Sequence, residues 1–269
     1  MRCIQTMILS LFCLLSLAQN KAAKTVKVLF VGNSYIYYNN LPQICVGIAS
    51  STGDVLVTES STPGGYTFEN HFADSNTIKK IRNGPSNYIN PRVKDNWDYV
   101  VLQEQSQLPS DSQSIVDRKV YSFAHFLDST IHKNNDEAKT VFYMTWGRKN
   151  GDSSRCARLP LVCSYEGMDS LLATNYRTMA EKNNAILAPV GAVWKLLRKK
   201  YPTLELYNKD GSHPSEAGSY AAACCFYTVF FKKDPTSVKF NYTLDPAIAS
   251  NIRKAVKQIV YDKLPKNQQ

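Results

Sequence analysis

The most constraining feature of this chain is a rhythm: short runs rich in β-branched and aromatic residues recur along it, and segments of helical spacing separate them. Residues 26–31 (VKVLFV) end at Gly32, and 54–58 (DVLVT) lead into the turn Thr62-Pro63-Gly64-Gly65. Residues 97–103 (WDYVVLQ) are nearly continuous in apolar side chains, which predicts a central strand buried on both faces. Residues 140–145 (TVFYMT) and 185–189 (AILAP) complete the set. Helices are expected over 41–50, with Pro42 in the first turn, and over 66–82, stopped by Gly84 and Pro85. Further helices are expected over 114–132, 168–182, 192–199, 214–231 and 246–262. Strands that alternate with helices pair in parallel and carry their crossovers on both faces, so the expected fold is a three-layer α/β/α sandwich around a parallel sheet of about five strands.

The apolar share of 43% against 20% charged residues supplies one large core without help from disulfides. No internal repeat and no Pro- or Ser-rich linker interrupts the pattern, so one domain is expected over residues 24–265. The start reads differently. An apolar run over 8–17 is followed by small residues at Ser16-Leu17-Ala18 and then by Lys21 and Lys24. This is the pattern of a secretory signal peptide over residues 1–18, and the run is too short to span a bilayer. No later segment reads as a membrane span, so a secreted or periplasmic protein without integral membrane association is expected.

An oxidising compartment makes Cys156 and Cys163 the best disulfide pair, within a long irregular stretch over 147–164. Cys224 and Cys225 read as buried helix residues, and the pairing of these two and Cys45 stays open. No spacing resembles a metal site, and no cofactor is implied. The net charge of +10 is scattered, which suits a solvated basic surface or acidic partners such as anionic polysaccharides, and no nucleic-acid module is visible.

In open α/β sheets, ligands bind beyond the carboxyl ends of the strands. Several polar groups fall at such ends: Ser34 after the first run, Gly64-Gly65 after the second, Gln103 and Gln105 after the third, and Trp146-Gly147-Arg148 after the fourth. Asp210 and His213 sit in a loop before a late helix. This set suits acyl transfer. A Ser hydroxyl attacks once a base takes its proton, His is the usual base near neutral pH, and a carboxylate three residues before it can hold one tautomer. Backbone N–H groups of Ser34 and Gly65 and a Gln side-chain amide are candidate donors to an oxyanion. Trp146 and Arg148 read equally as pocket lining or as a packing aromatic and a surface charge. Tyr35, Tyr37 and Tyr38 read as pocket wall or core. His125 reads as half-buried, and His71 and His132 as surface residues. Glu104 should point away from the Gln pair.

Val31-Gly32-Asn33-Ser34 resembles the first block of the SGNH (GDSL-like) hydrolases, with Asn33 where Asp is commonest. Gly64-Gly65-Tyr66-Thr67 resembles the second block and Asp210-Gly211-Ser212-His213 the last, while Leu102-Gln103-Glu104-Gln105-Ser106 stands where the third usually reads Gly-x-Asn-Asp. The wider stretches GNSYIYYNNLP, VVLQEQS and TWGRKNGD are similar to a secreted bacterial branch of that superfamily. The resemblance spans nearly the whole chain after residue 18 and implies a flavodoxin-like fold. It implies Ser34 as nucleophile, His213 as base and then acid, Asp210 as its orienting group, and Ser34, Gly65 and Gln105 as the oxyanion hole, with Gln103 on the same strand face as the substitute. The expected function is hydrolysis of small acyl esters, above all acetyl, on a small molecule or a polysaccharide, with Trp146, Arg148 and Tyr35 as substrate contacts. A lysophospholipase or thioesterase with the same triad, and a non-catalytic carbohydrate-binding surface protein, are the alternatives.

Overall fold

The computed structural model describes residues 23–86 and 95–265; the expected signal segment over 1–18 lies outside the described residues. Five parallel strands form one sheet in the order β2-β1-β3-β4-β5: β1 Thr25–Val31, β2 Val55–Ser61, β3 Tyr99–Leu102, β4 Lys139–Tyr143 and β5 Ile186–Ala188. Helices cover both faces, as the alternation of elements requires. In chain order they are α1 Ser34–Tyr37, α2 Leu41–Ser50, α3 Phe68–Ala73, α4 Ser75–Asn83, α5 Gln113–Ile115, α6 Ser122–Asn134, α7 Tyr165–Lys182, α8 Val190–Lys200, α9 Glu216–Phe231 and α10 Pro246–Ile259.

Strand side chains alternate between two cores. Val28, Phe30, Val101, Val141 and Tyr143 pack against α2, α8, α9 and α10. Leu29, Val31, Val100, Leu102 and Phe142 pack against α3, α4, α6 and α7. Every residue of α9 from Ala217 to Phe231 is buried, which explains why that stretch shows no polar face. Among the described residues, no helix is long and apolar enough to cross a membrane.

Local chemistry sets the element ends. Thr67 and Asn70 form a capping box at α3, and Ser164, Ser215 and Asp245 cap α7, α9 and α10. The single helix expected over 66–82 is two helices, because the Asp74 carboxylate accepts the N–H groups of Asn76 and Thr77 and restarts the helix there. The helix expected over 114–132 contains a π-helical segment, Val116–Tyr121, between α5 and α6.

The strand order places the site. The chain leaves β1 for β2 on one side and returns to β3 on the other. The two crossovers diverge at the carboxyl ends of β1 and β3, and such a switch point leaves a crevice for ligand. Ser34 follows β1 and Gln103 follows β3.

Candidate active site

Beyond β1 the backbone turns sharply into α1, and Asn33 holds the turn. Its Oδ1 accepts the N–H of Tyr35 at 3.3 Å, its Nδ2 donates to the carbonyl of Tyr66 at 2.8 Å, and its own N–H donates to Gln103 Oε1 at 3.0 Å. One residue therefore ties together the loops after β1, β2 and β3. An Asp there offers no donor to Tyr66, which gives the departure from the commonest first block a physical reason. Asn33→Asp sets a carboxylate against a carbonyl in a buried position. It should cost about 1–3 kcal/mol of stability near neutral pH, read as a lower urea midpoint; an unchanged midpoint would contradict this role. Gly32 is also constrained, since a Cβ there would lie 2.6 Å from Gln103 Oε1 and from Ile36 Cδ1.

Ser34 opens α1, half-buried, with its backbone N–H in the first turn, where no intrahelical acceptor exists. Its Oγ lies 2.8 Å from His213 Nε2. His213 Nδ1 is hydrogen-bonded to Asp210 Oδ2, and Asp210 Oδ1 accepts the N–H groups of Ser212 at 2.9 Å and His213 at 3.0 Å. Burial works to raise the Asp210 pKa, but the hydrogen bonds from the His213 ring and from those two backbone groups outweigh it, and the carboxyl titrates below its ordinary value. Residues 179 positions apart in sequence thus form a Ser–His–Asp chain of hydrogen bonds.

The loop carrying His213 is closed on itself by the Asn208 N–H to the His213 carbonyl, 2.7 Å, and by the Gly211 N–H to the Asn208 carbonyl, 2.9 Å, with Gly211 at φ +67°. From below, Tyr35 Oη pairs with Ser212 Oγ at 2.7 Å and Trp146 Nε1 donates to the Ser212 carbonyl at 3.1 Å. Tyr35 stacks on Trp146, and Trp146 stacks on Trp194. The expectation that Trp146 and Tyr35 touch substrate is therefore corrected. They are 0% and 2% exposed, and they form a buried aromatic pillar under the His213 loop. Arg148 is partly exposed and turned toward the buried carboxylate of Asp152, 3.3 Å away.

Tyr38 lies on the other side of the imidazole, stacked on it with centroids 4.2 Å apart and planes 12° from parallel. The sequence did not separate it from Tyr35 and Tyr37. The structure leaves Tyr35 buried, Tyr38 half-exposed against His213 and Tyr37 exposed.

Gly65 stands at the rim, exposed and at φ +73°, a conformation that favours glycine. The two Gln residues do not join it as expected. Gln103 is fully buried, with Oε1 on Asn33 N and its amide on the Glu104 carbonyl. Gln105 Oε1 accepts the N–H groups of Gln107 and Leu108, and Nε2 donates to Gln107 Oε1 at 3.1 Å. The chain turns at once into a 3-10 turn, Leu108–Ser110, and Gln105 Oε1 accepts the N–H groups at its entry. Both polar atoms of its side chain are thus engaged by residues 107 and 108 in this structure. The Cys156–Cys163 disulfide is present, and its loop is anchored by Arg155 and Arg158 on Asp111 and by Gln107 Nε2 on Asp152 at 2.6 Å. Cys45, Cys224 and Cys225 are buried free thiols. Among the described residues, no group of three or more His, Cys, Asp or Glu is placed to hold a metal ion.

Two buried titratable groups flank the Ser34 turn. His71, expected at the surface, is fully buried because α3 turns it inward, where Nε2 meets the Gly32 carbonyl at 2.8 Å. Burial lowers its pKa from 6.5 to about 4. Glu104, also fully buried, accepts the Phe68 and Gln105 N–H groups, yet burial raises its pKa from 4.5 to about 8. The signs follow from which state binds more protons. Between pH 4 and 6.5 the unfolded chain holds the proton that folded His71 lacks, so this contribution grows with pH. Between pH 4.5 and 8 the folded chain holds the proton that unfolded Glu104 has lost, so this contribution shrinks with pH. The two offset up to pH 6.5, and above it Glu104 acts alone. Stability should therefore fall by about 1 kcal/mol from pH 6.5 to pH 8, since each end of that window is only half titrated. Urea titrations at those pH values check this; equal or greater stability at pH 8 would contradict it.

No family model matches the sequence, and no curated relative matches it. Solved structures do share its fold. A protein of Slackia heliotrinireducens assigned to the SGNH hydrolases superposes with a TM-score of 0.59 at 24% identity, covering 76% of this chain and 98% of its own. A DUF4886 family protein of Bacteroides uniformis gives 0.66 at 18% identity, covering 90% and 98%. An acetyl xylan esterase gives 0.51 at 13% identity, covering 76% and 99%. The chain has the three-layer fold found in SGNH hydrolases.

Proposed function

We propose that this fold carries a serine esterase in which Ser34 attacks an acyl carbonyl, His213 takes and returns the proton, and Asp210 holds the imidazole. The observation that carries the reading is the continuous hydrogen-bond chain from Ser34 Oγ through His213 to Asp210, at the switch point of the sheet. The Ser34 N–H, at the first turn of a helix, and the Gly65 N–H are the oxyanion donors. Deacylation by water, with His213 as base, completes the cycle.

Two features support small acyl groups, acetyl above all, on a carbohydrate. Tyr37 and Gly65, at the rim, are exposed rather than roofed by an apolar lid. A fold neighbour is named for the deacetylation of xylan. The apolar N-terminal run and the disulfide support export of the protein through a cleaved signal peptide, residues 1–18. A fluorophosphonate should label Ser34, located by peptide mapping, with loss of p-nitrophenyl acetate hydrolysis. Absence of labelling in protein that binds glycans without turnover would favour a carbohydrate-binding protein. A strong preference for long acyl chains would favour a lysophospholipase or thioesterase.

A further inference from the structure

A cavity of about 620 Å³ opens beside the His213 loop and is not used by the triad. Its walls come from both sides of the catalytic pair. Asn39 follows Tyr38, the residue stacked on His213, and donates through Nδ2 to the Pro214 carbonyl at 3.0 Å and to Ser219 Oγ at 2.9 Å. Ser215 and Asn208 flank His213 on the other wall. A second hollow of about 370 Å³ shares Glu205 and Asn208 with the first and continues along Asp210 and Gly211, with Lys149 and Lys209 on its walls. The two border the loop holding the triad's base and carboxylate, and only the larger is free of Lys and Arg.

The lining has a particular chemistry. Tyr201, Leu204 and Leu244 pack partly against the core and give the cavity an apolar side, and Asn208 and Asn251 add side-chain amides to its lining. Apolar faces with amides at their edges suit sugar rings, whose C–H faces are apolar and whose rims are hydroxyls. The charge narrows the choice. On a chain of net charge +10, the larger cavity is lined by no Lys or Arg and by two carboxylates, Glu205 and Glu216. Glu205 is already paired with Lys149, and Glu216 accepts Thr243 Oγ1 at 2.8 Å. Nothing in the cavity compensates an acidic sugar, whereas carboxylates accept hydroxyl protons well.

We infer that the larger cavity is the subsite for a neutral oligosaccharide chain that presents its acyl ester to Ser34; the inference rests on the esterase reading. The basic surface as a whole favours acidic polysaccharides, and the larger cavity, with its two carboxylates and no Lys or Arg, selects against them. The test compares kinetics on three substrates: p-nitrophenyl acetate, partially O-acetylated xylo-oligosaccharides as the neutral probe, and O-acetylated oligogalacturonides as the acidic one. The variants are Asn251→Ala, which removes an amide, and Thr203→Trp, which fills the cavity from an exposed position. The expected result is a KM for the neutral oligosaccharide raised at least fivefold in both variants. Its kcat, and kcat/KM for p-nitrophenyl acetate, should stay within twofold of wild type. An unchanged oligosaccharide KM in both variants, or a wild-type preference for the acidic oligosaccharide, overturns the subsite and leaves the esterase standing. Equal losses on all three substrates also overturn it, since the cavity then acts on the catalytic loop. If the wild type cleaves none of the three and Ser34 resists labelling, the esterase reading fails first and takes the subsite with it.

Discussion

Ser34→Ala is expected to lower kcat for ester hydrolysis by about six orders of magnitude, to the residue left by oxyanion donors and substrate binding alone. The substitution removes only the Oγ, whose hydrogen bond is to His213, and Ala keeps the backbone N–H that opens α1. Ser34 is half-buried, so no large cavity forms and the melting temperature should stay close to wild type. The pairing of these two readouts is what makes the experiment informative. A large loss of activity with an intact fold supports the proposed nucleophile, whereas activity within tenfold of wild type removes it.

Asp210→Asn is expected to lower kcat by about four orders of magnitude, through the tautomer of His213 rather than through structure. The Asn oxygen can still accept the Ser212 and His213 backbone N–H groups that Asp210 Oδ1 accepts now, so the loop keeps its shape. Its amide then faces His213 Nδ1, where Asp210 Oδ2 sits. Two donors cannot face each other, so the imidazole moves its proton to Nε2. That nitrogen is the one beside Ser34 Oγ, and once protonated it cannot take the hydroxyl proton. KM should change little, because the loss lies in the transition state. A variant with kcat within tenfold of wild type would show that the carboxylate does not set the tautomer.

The structure also separates what local sequence dictates from what packing decides. The candidate site was legible where its hydrogen bonding is short-range. A β-rich run broken by Gly32 must turn there, and the turn leaves Ser34 at a helix start. A carboxylate three residues before an imidazole can reach its ring within a single loop, as Asp210 does. The Cys156–Cys163 pair was legible for the same reason, with a sequence separation of 7. The failures concern direction. Trp146 and Tyr35 lie at the right strand and helix ends, but the long-range stack on Trp194 decides that they support the loop. Gln105 has the right register, but the N–H groups of Gln107 and Leu108 engage its side chain. Tyr38 was not separable from Tyr35 and Tyr37, because only the docking of the His213 loop brings an imidazole onto its ring.

By itself, the sequence determined the five strands, the parallel α/β/α layering and the residues that compose the Ser–His–Asp chain, because apolar periodicity, turn residues and capping act over a few positions. The tertiary structure alone decided the burial of His71 and Glu104, the pillar of Tyr35 and Trp146, and the cavity beside the His213 loop. Those depend on which distant helices and loops meet at the end of the sheet, and free energies of burial are set by neighbours that no local pattern names.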